Sequence, residues 1–399
     1  MKTKFIALAL IFSVFCAIPL SAQAAKSSNE TRYFVKTKAN LWKNSFSIRH
    51  TFDGGFTADL TDWQLRLAKI FNIEIEPVGR LYVSPSSTDT ITLSGNPSKV
   101  TNVARIIPSS QVPWGVATVY GRQELEKTSG GSDILIAVLD TGVTKAHPDL
   151  NSRIEDCKDF STAKPLVKSS CDDKNGHGTH VAGIIAADGG TDGLGVYGMA
   201  PEAKILAYKV CDASGACWAD DIAVAIHAAV DAGAQIINIS LGSDTESPLI
   251  HEAVNYAGDH DVLIVAAAGN DGPYKGSIDY PAANTRVIGV GAIDDEGNVP
   301  EWSSRGLNSE TDGNLINEKD LEFVAPGANI ESTWKEGYAI LSGTSMAAPH
   351  IAGLAALIWD NAIEEPAAQV MKVLSELAQD ALDEGEDDAS GLGMPVLGE

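Results

Sequence analysis

Beyond residue 130 the chain alternates short, wholly apolar runs with segments whose apolar residues recur at helical spacing. Residues 134–139, 204–210, 236–241, 262–268 and 287–290 read as strands, and 180–187, 219–232 and 248–260 read as helices between them. Strands that are apolar on both faces belong in a parallel sheet with helices packed on each side, so the fold class is α/β. Ligands of such sheets bind beyond the carboxyl ends of the strands. Asp140 ends the first of these strands and Asn270 lies just past the fourth.

The pattern before residue 110 is different. Tyr33-Phe34-Val35 and Phe46-Ser47-Ile48 suit strands, Leu60, Trp63, Leu67, Ile70 and Phe71 recur at helical spacing, and 72–75 turns β-like again. Residues 25–110 therefore read as a separate small α+β domain. Its last part, 84–110, is rich in Ser, Thr, Asn and Pro and reads as a linker. Residues 1–24 have the build of an export signal: Lys2 and Lys4, an apolar run over 5–20, and the small-residue stretch Ala22-Gln23-Ala24. This implies a secreted protein. The run is short for a membrane anchor, and no later stretch is long and uncharged enough to span a bilayer. Bulky Phe15 before Cys16 argues against lipid attachment there.

Charge divides the chain at the same point. Residues 25–110 hold 11 Lys/Arg against 7 Asp/Glu, whereas the residues beyond hold 16 against 46. So acidic a surface argues against nucleic acid or anionic membrane as partner. It gives the basic N-terminal segment something to dock on, and it serves equally as a solvated, salt-tolerant surface. Four cysteines follow the signal: Cys157, Cys171, Cys211 and Cys217. In an exported chain an even number points to two disulfides with three connectivities, of which the local pairing, Cys157 with Cys171 and Cys211 with Cys217, is expected. Free buried thiols are the alternative, and the spacings fit no common zinc set.

Three Gly-flanked motifs then change the picture. They are Val138-Leu139-Asp140-Thr141-Gly142, Asn175-Gly176-His177-Gly178-Thr179-His180-Val181-Ala182-Gly183 and Gly343-Thr344-Ser345-Met346-Ala347-Ala348-Pro349-His350. An acid, an imidazole and a hydroxyl are the parts of an activated serine nucleophile. Each motif alone has a plainer reading. Asp-Thr-Gly also occurs in aspartic proteases, but those need a second copy, and none is present. His177 and His180 have helical metal-ligand spacing but lack the accompanying Glu and a third ligand. Ser345 starts an apolar helical stretch, where a serine is usually a cap. Taken together, in the order Asp, His, Ser, they resemble the subtilisin family of serine proteases, over about residues 111–395.

That resemblance carries further expectations. The base is His177, oriented by Asp140, the nucleophile is Ser345, and His180 satisfies a buried hydrogen bond. Ala266-Ala267-Ala268-Gly269-Asn270 resembles the family's oxyanion motif, so Asn270 would donate its amide beside the Ser345 N–H. Peptide substrate would pair with Ser240-Leu241-Gly242 on one side and the segment around Ala213-Ser214-Gly215 on the other. Ala267 and Gly269 would line the primary specificity pocket, with Asp279 at its floor, where a carboxylate either favours Lys or Arg or faces solvent without effect. Residues 25–110 resemble a prodomain that assists folding and inhibits, removed by self-cleavage between about Val103 and Gln111, leaving 111–399 as the catalytic domain. A structural calcium would take oxygens from Gln111, Asp149 and a loop containing Asp188 and Asp192. No cofactor is needed for the chemistry. The Gly391-Leu392-Gly393 run resembles the family's C-terminal closure within a non-catalytic acidic tail. The expected protein is a monomeric secreted endopeptidase of broad specificity that acts on proteins or peptides. The alternatives are a narrow processing protease and an inactive binding homologue.

Overall fold

The computed structural model describes residues 31–43, 45–83, 91–92, 106–122, 124–162, 167–168, 170–308, 317–382 and 385–398. The expected export signal, most of the expected linker and part of the proposed cleavage region, including Val103, lie outside these residues. The chain divides into two compact units, Met1–Pro77 and Val78–Glu399. The division falls before residue 110 because the residues just after Pro77 join strands of the second unit.

The first unit holds β1 (Thr31–Val35), β2 (Ile48–Phe52), β3 (Gly55–Leu60), α1 (Asp62–Ile70) and β4 (Ile75–Pro77). Its four strands form an antiparallel sheet in the order β2-β3-β1-β4. Val35, Phe46, Phe56, Ala58 and Leu60 make its core, with Leu65 packed against it. The helix read from sequence is present, but its inward face differs from the one expected. Leu60 ends β3, and Thr61 caps α1 through a reciprocal pair of bonds with Gln64, which starts the helix at Asp62. In that phase Ala68 is buried, while Trp63 and Ile70 lie exposed.

The second unit runs β5 (Arg80–Tyr82), β6 (Leu135–Asp140), β7 (Ile154–Asp159), α2 (His177–Ala186), β8 (Lys204–Lys209), β9 (Ala216–Trp218), α3 (Ala219–Asp231), β10 (Ile236–Ile239), α4 (Pro248–Asp259), β11 (Leu263–Ala267) and β12 (Val287–Ile293). Then come β13 (Phe323–Pro326), β14 (Ile330–Trp334), β15 (Gly337–Leu341), α5 (Thr344–Ile358) and α6 (Pro366–Leu377). Seven strands form a parallel sheet in the order β13-β12-β11-β10-β6-β8-β7. This is the α/β fold expected from the apolar runs. Strand β6 sits where the chain's winding direction reverses: β8 pairs on one side of it and β10 on the other. Such a switch point opens a crevice beyond the carboxyl ends of the strands.

The core is built from the strand residues Ile136, Val138, Val265 and Val290 and from the helix residues Val181, Ile185, Ile351 and Leu354. Cys157 is bonded to Cys171, and Cys211 to Cys217, the local pairing expected. The first bridge ties β7 to the loop leading into α2, and the second closes the connection between β8 and β9. Residues 385–398 are packed rather than trailing: Leu392 N–H donates to Glu322 O, and Val324 N–H to Gly393 O.

Candidate active site

Asp140 is the last residue of β6, and His177 is the first of α2. Asp140 Oδ1 and Oδ2 lie 2.8 and 3.0 Å from His177 Nδ1, and both side chains are buried. Burial opposes charging of the imidazole, but the Asp140 carboxylate, helped by Asp173, outweighs it and raises the His177 pKa. With Nδ1–H donating to the carboxylate, neutral His177 carries its lone pair on Nε2. Nε2 has no hydrogen-bond partner among the described residues. It is therefore a base poised for a proton.

The helix begins three residues earlier than its apolar pattern predicts, and Asp173 is part of the reason. Its Oδ1 accepts from Thr141 Oγ1 (2.9 Å) and from the N–H groups of Asn175 (3.1 Å) and Gly176 (2.8 Å). Its Oδ2 accepts from Thr179 N–H (2.9 Å) and Thr179 Oγ1 (2.6 Å), while the other opening N–H groups of α2, those of His177 and Gly178, go to Asn175 Oδ1 (3.2 Å) and Thr141 Oγ1 (2.9 Å). Gly178 is required by close approach, since a Cβ there would lie 2.2 Å from the Gly142 carbonyl oxygen. Sequence reasoning missed Asp173, although an acid two residues before Asn-Gly is a capping signal. It also missed Lys209, whose buried Nζ donates to the carbonyls of Thr141 (2.5 Å) and Cys211 (2.7 Å).

Ser345 is the second residue of α5, which packs against α2. Its Oγ donates to the Ser240 carbonyl (3.0 Å), while Ser240 Oγ donates back to the Ser345 carbonyl (2.9 Å). The second bond has a cause in the sequence. Pro349 has no N–H, so the carbonyl four residues earlier loses its helical donor, and Ser240 supplies one. In this state the structure joins Asp140 to His177, but the Ser345 hydroxyl is turned to Ser240 rather than to His177 Nε2.

Asn270 follows β11. Thr344 N–H and Thr344 Oγ1 donate to Asn270 Oδ1 at 3.0 and 3.2 Å, and Gly269 N–H donates to Thr344 Oγ1 at 3.0 Å. Holding the oxygen against the start of α5 fixes the flip of the amide and directs its N–H₂ the opposite way. His180 is set apart from this chemistry. Its Nε2 lies 3.0 Å from both the Ile330 and Ala339 carbonyls, and burial lowers its pKa to about 3.

Two open strand edges flank Ser345, and a segment of the same unit lies between them. Strand β5 pairs antiparallel with β9, Tyr82 opposite Ala216 and Arg80 opposite Trp218. Tyr82 N–H donates to Gly242 O (3.0 Å), Gly242 N–H donates to Tyr82 O (3.1 Å), and Val83 N–H donates to Gly215 O (3.0 Å). Leu81 is buried and lines a small cavity together with Ile250, Val254 and Pro281. Gly215 and Gly242 are thus on the edges expected. The first edge continues into 216–218 rather than back through Ala213 and Ser214, which lie in a turn closed by Asp212. Leu241, Ala267 and Asp279 are buried. Asp279 N–H donates to Ala268 O at 2.9 Å, which holds this residue against the segment that also bears Gly269.

Gln111, Asp149 and the loop 188–196 also converge. Gln111 Nε2 donates to Gly193 O, Tyr197 N–H donates to Gln111 O (2.7 Å), and Val196 N–H donates to Asp149 Oδ2 (3.0 Å). Asp188 turns elsewhere, to Ser152 Oγ and to Arg153 Nε at 3.1 Å. Asp192 accepts from Leu194 N–H at 3.1 Å. The oxygen-rich chemistry of Gln111, Asp149 and the loop carbonyls fits a hard cation, whereas Asp188 is committed to an arginine.

Comparison with known proteins gives consistent results. A model described as the subtilase family matches residues 131–393. The chain is 44% identical over 379 residues to the subtilisin of Bacillus sp. (strain TA39), covering 89% of this chain and 87% of that one. It is 36% identical over 333 residues to the M-protease of Shouchella clausii (strain KSM-K16), covering 83% and 81%. Among solved structures, sphericase matches with a TM-score of 0.69 at 46% identity, covering 72% of this chain and 99% of that one.

Proposed function

Since the chain belongs to the subtilase family and is a serine endopeptidase, we propose that Asp140, His177, Ser345 and Asn270 are the residues that carry its chemistry. The observation that carries this reading is the buried Asp140–His177 hydrogen bond, which leaves Nε2 as an unoccupied base. In the reaction, Ser345 Oγ turns from the Ser240 carbonyl to His177 Nε2, gives up its proton there and attacks the peptide carbonyl. Asp140 stabilises the resulting imidazolium. The oxyanion takes hydrogen bonds from the Asn270 amide and the Ser345 N–H, at the positive end of α5. His177 then protonates the leaving amine, and water reverses the sequence to free the acyl group.

Substrate peptide pairs with Gly215–Trp218 and with Ser240-Leu241-Gly242. The way Arg80–Val83 lies on these edges supports a backbone-driven mode with little sequence demand. Ala267 and Gly269 line the primary pocket. Subtilases are made as zymogens. Here residues 1–24 direct export, 25–110 serve as prodomain, and 111–399 form the catalytic domain, acting as a secreted monomer. Subtilases generally bind structural calcium and need no cofactor for catalysis. In this chain Gln111, Asp149 and carbonyls of the loop 188–196 would hold the ion, which supplies rigidity rather than chemistry.

The test is to express the whole chain beside Ser345→Ala and follow mass and casein hydrolysis together. The native chain should lose the N-terminal segment and hydrolyse casein, while Ser345→Ala stays whole and inert. Casein hydrolysis by the Ser345→Ala protein would refute the assignment.

A further inference from the structure

Arg80 and Trp218 make a contact that the catalytic reading does not use. The Arg80 guanidinium carbon lies 3.9 Å from the centroid of the Trp218 ring. Arg80 has no ion pair among the described residues, so its charge rests on the indole face.

Register produces this contact. Arg80 is directly opposite Trp218 in the antiparallel pair of β5 with β9, and Leu81 is opposite Cys217. Side chains alternate along β5, with Arg80 and Tyr82 exposed and Leu81 buried. Directly opposed residues share a face of the sheet, their Cβ atoms about 5 Å apart, so a long side chain in the place of Arg80 lies along the indole. The platform is held from both sides in the sequence. Cys217 is buried and bonded to Cys211, and Trp218 is the cap residue that leads into α3. Ala219 N–H donates to Gly79 O at 3.1 Å, which closes the pairing at this end.

The same register relates Trp218 to the nucleophile. Tyr82 and Gly242 exchange both of their backbone bonds (3.0 and 3.1 Å). Ser240, two residues before Gly242, is the residue that exchanges bonds with Ser345. A peptide paired in this antiparallel register therefore meets Ser345 two positions after the residue opposite Gly242. That makes the residue opposite Gly242 the third before the cleaved bond, and those opposite Cys217 and Trp218 the fourth and fifth. A slip of one residue would turn the buried side chain outward, so the register is strongly specified.

The indole face carries the negative part of the ring quadrupole and attracts a cation, and a guanidinium is planar and weakly hydrated, which suits stacking. The residues beyond 110 hold 16 Lys/Arg against 46 Asp/Glu, so an anionic side chain is repelled. We propose that Trp218 is the platform of an extended subsite for a cationic side chain on the fifth residue before the scissile bond, with Arg80 its resident example. The inference rests on the endopeptidase reading and adds one sequence preference to an otherwise tolerant backbone pairing.

The test uses the enzyme matured from the whole chain and two acetylated pentapeptide p-nitroanilides. They differ only in the first residue, Arg or its neutral isostere citrulline. The nitroanilide fixes the cleaved bond, so the first residue falls opposite Trp218. Measurements are made at 1 M salt, where a Debye length of about 3 Å removes long-range attraction by the acidic surface. The Arg-to-citrulline ratio of kcat/KM should be roughly two- to fivefold, the range of a cation–π contact at an exposed site. It should persist in Trp218→Phe and vanish in Trp218→Leu. Equal kcat/KM for the two peptides in the native enzyme overturns the proposal without need of any variant. So does a preference that Trp218→Leu leaves unchanged, which would assign it to the surrounding acids. If the native enzyme cleaves neither peptide, it is the endopeptidase reading that fails.

Discussion

Asp173 shows how one side chain governs another's chemistry. Five donors converge on it from both sides of His177, and they help fix where α2 begins. Remove its oxygens and the N–H groups of Asn175, Gly176 and Thr179 lose their acceptors, each costing about 1 kcal/mol or more when buried. Asp173 is therefore a positioning residue. Asp173→Ala should lower Tm by several degrees and reduce kcat by at least tenfold with little change in KM, because substrate edges stay intact while the base is misplaced. A rise in KM at constant kcat would argue against this role. Asn270 works by the same logic: Thr344 holds its oxygen, so the amide has one orientation. Losing such a donor lowers turnover by roughly 10²–10³-fold.

At the scale of elements, the parallel strands and their helices were legible because each is a continuous apolar run of the right length. The helix starts were not. The apolar period places the beginning of α2 near His180, but Asn175, Thr141 and Asp173 accept its first N–H groups and move it to His177. In α1 the Thr61–Gln64 box sets a phase that the apolar spacing alone does not reveal. Strand β7, Ile154–Asp159, is largely polar and gives no β signal; it pairs with β8 on one side and, at Lys158 and Asp159 alone, with the short antiparallel segment Val167–Lys168 on the other. Arg80–Tyr82 was read as lying in the small domain, and only tertiary pairing with β9 assigns it to the large unit.

The two long site helices also carry a common liability. His180 on α2 and His350 on α5 are fully buried, and burial takes their pKa values down to about 3 and about 4. Both stay neutral in the native fold while the unfolded chain takes up protons below its ordinary value of 6.5. Stability is thus fully present above pH 6.5 and is lost as pH falls toward 4, at about 1.4 kcal/mol per unit for each group. Thermal unfolding from pH 7 to 4 should show this decline, and His350→Gln should make it shallower. An unchanged slope in that variant would contradict the assignment.

Across the whole molecule, the acidic excess beyond residue 110 must be held in a compact unit, and the divalent cation proposed at Gln111 and Asp149 would offset part of that repulsion. At a concentration 100-fold above its dissociation constant a bound ion stabilises by about 2.7 kcal/mol. Chelation should therefore lower Tm by several degrees in the native enzyme and hardly at all in Gln111→Ala. Equal effects in both would move the ion to another site. The fold class, the pairing of Asp140 with His177 and the disulfide pairing were readable from the sequence pattern. The resemblance singled out Asp279, but not its neighbours Asp244 and Asp271, because the three meet only through the pairing of 243 with 280 and of 268 with 279.

The central claim is that Ser345 is made nucleophilic by His177 and Asp140. The most direct measurement is stoichiometric labelling of the processed enzyme with a phosphonofluoridate, followed by mapping of the modified peptide. The account predicts one equivalent of label on Ser345 and almost none in His177→Ala. Label on a different residue, or an equal rate of labelling in His177→Ala, would contradict it.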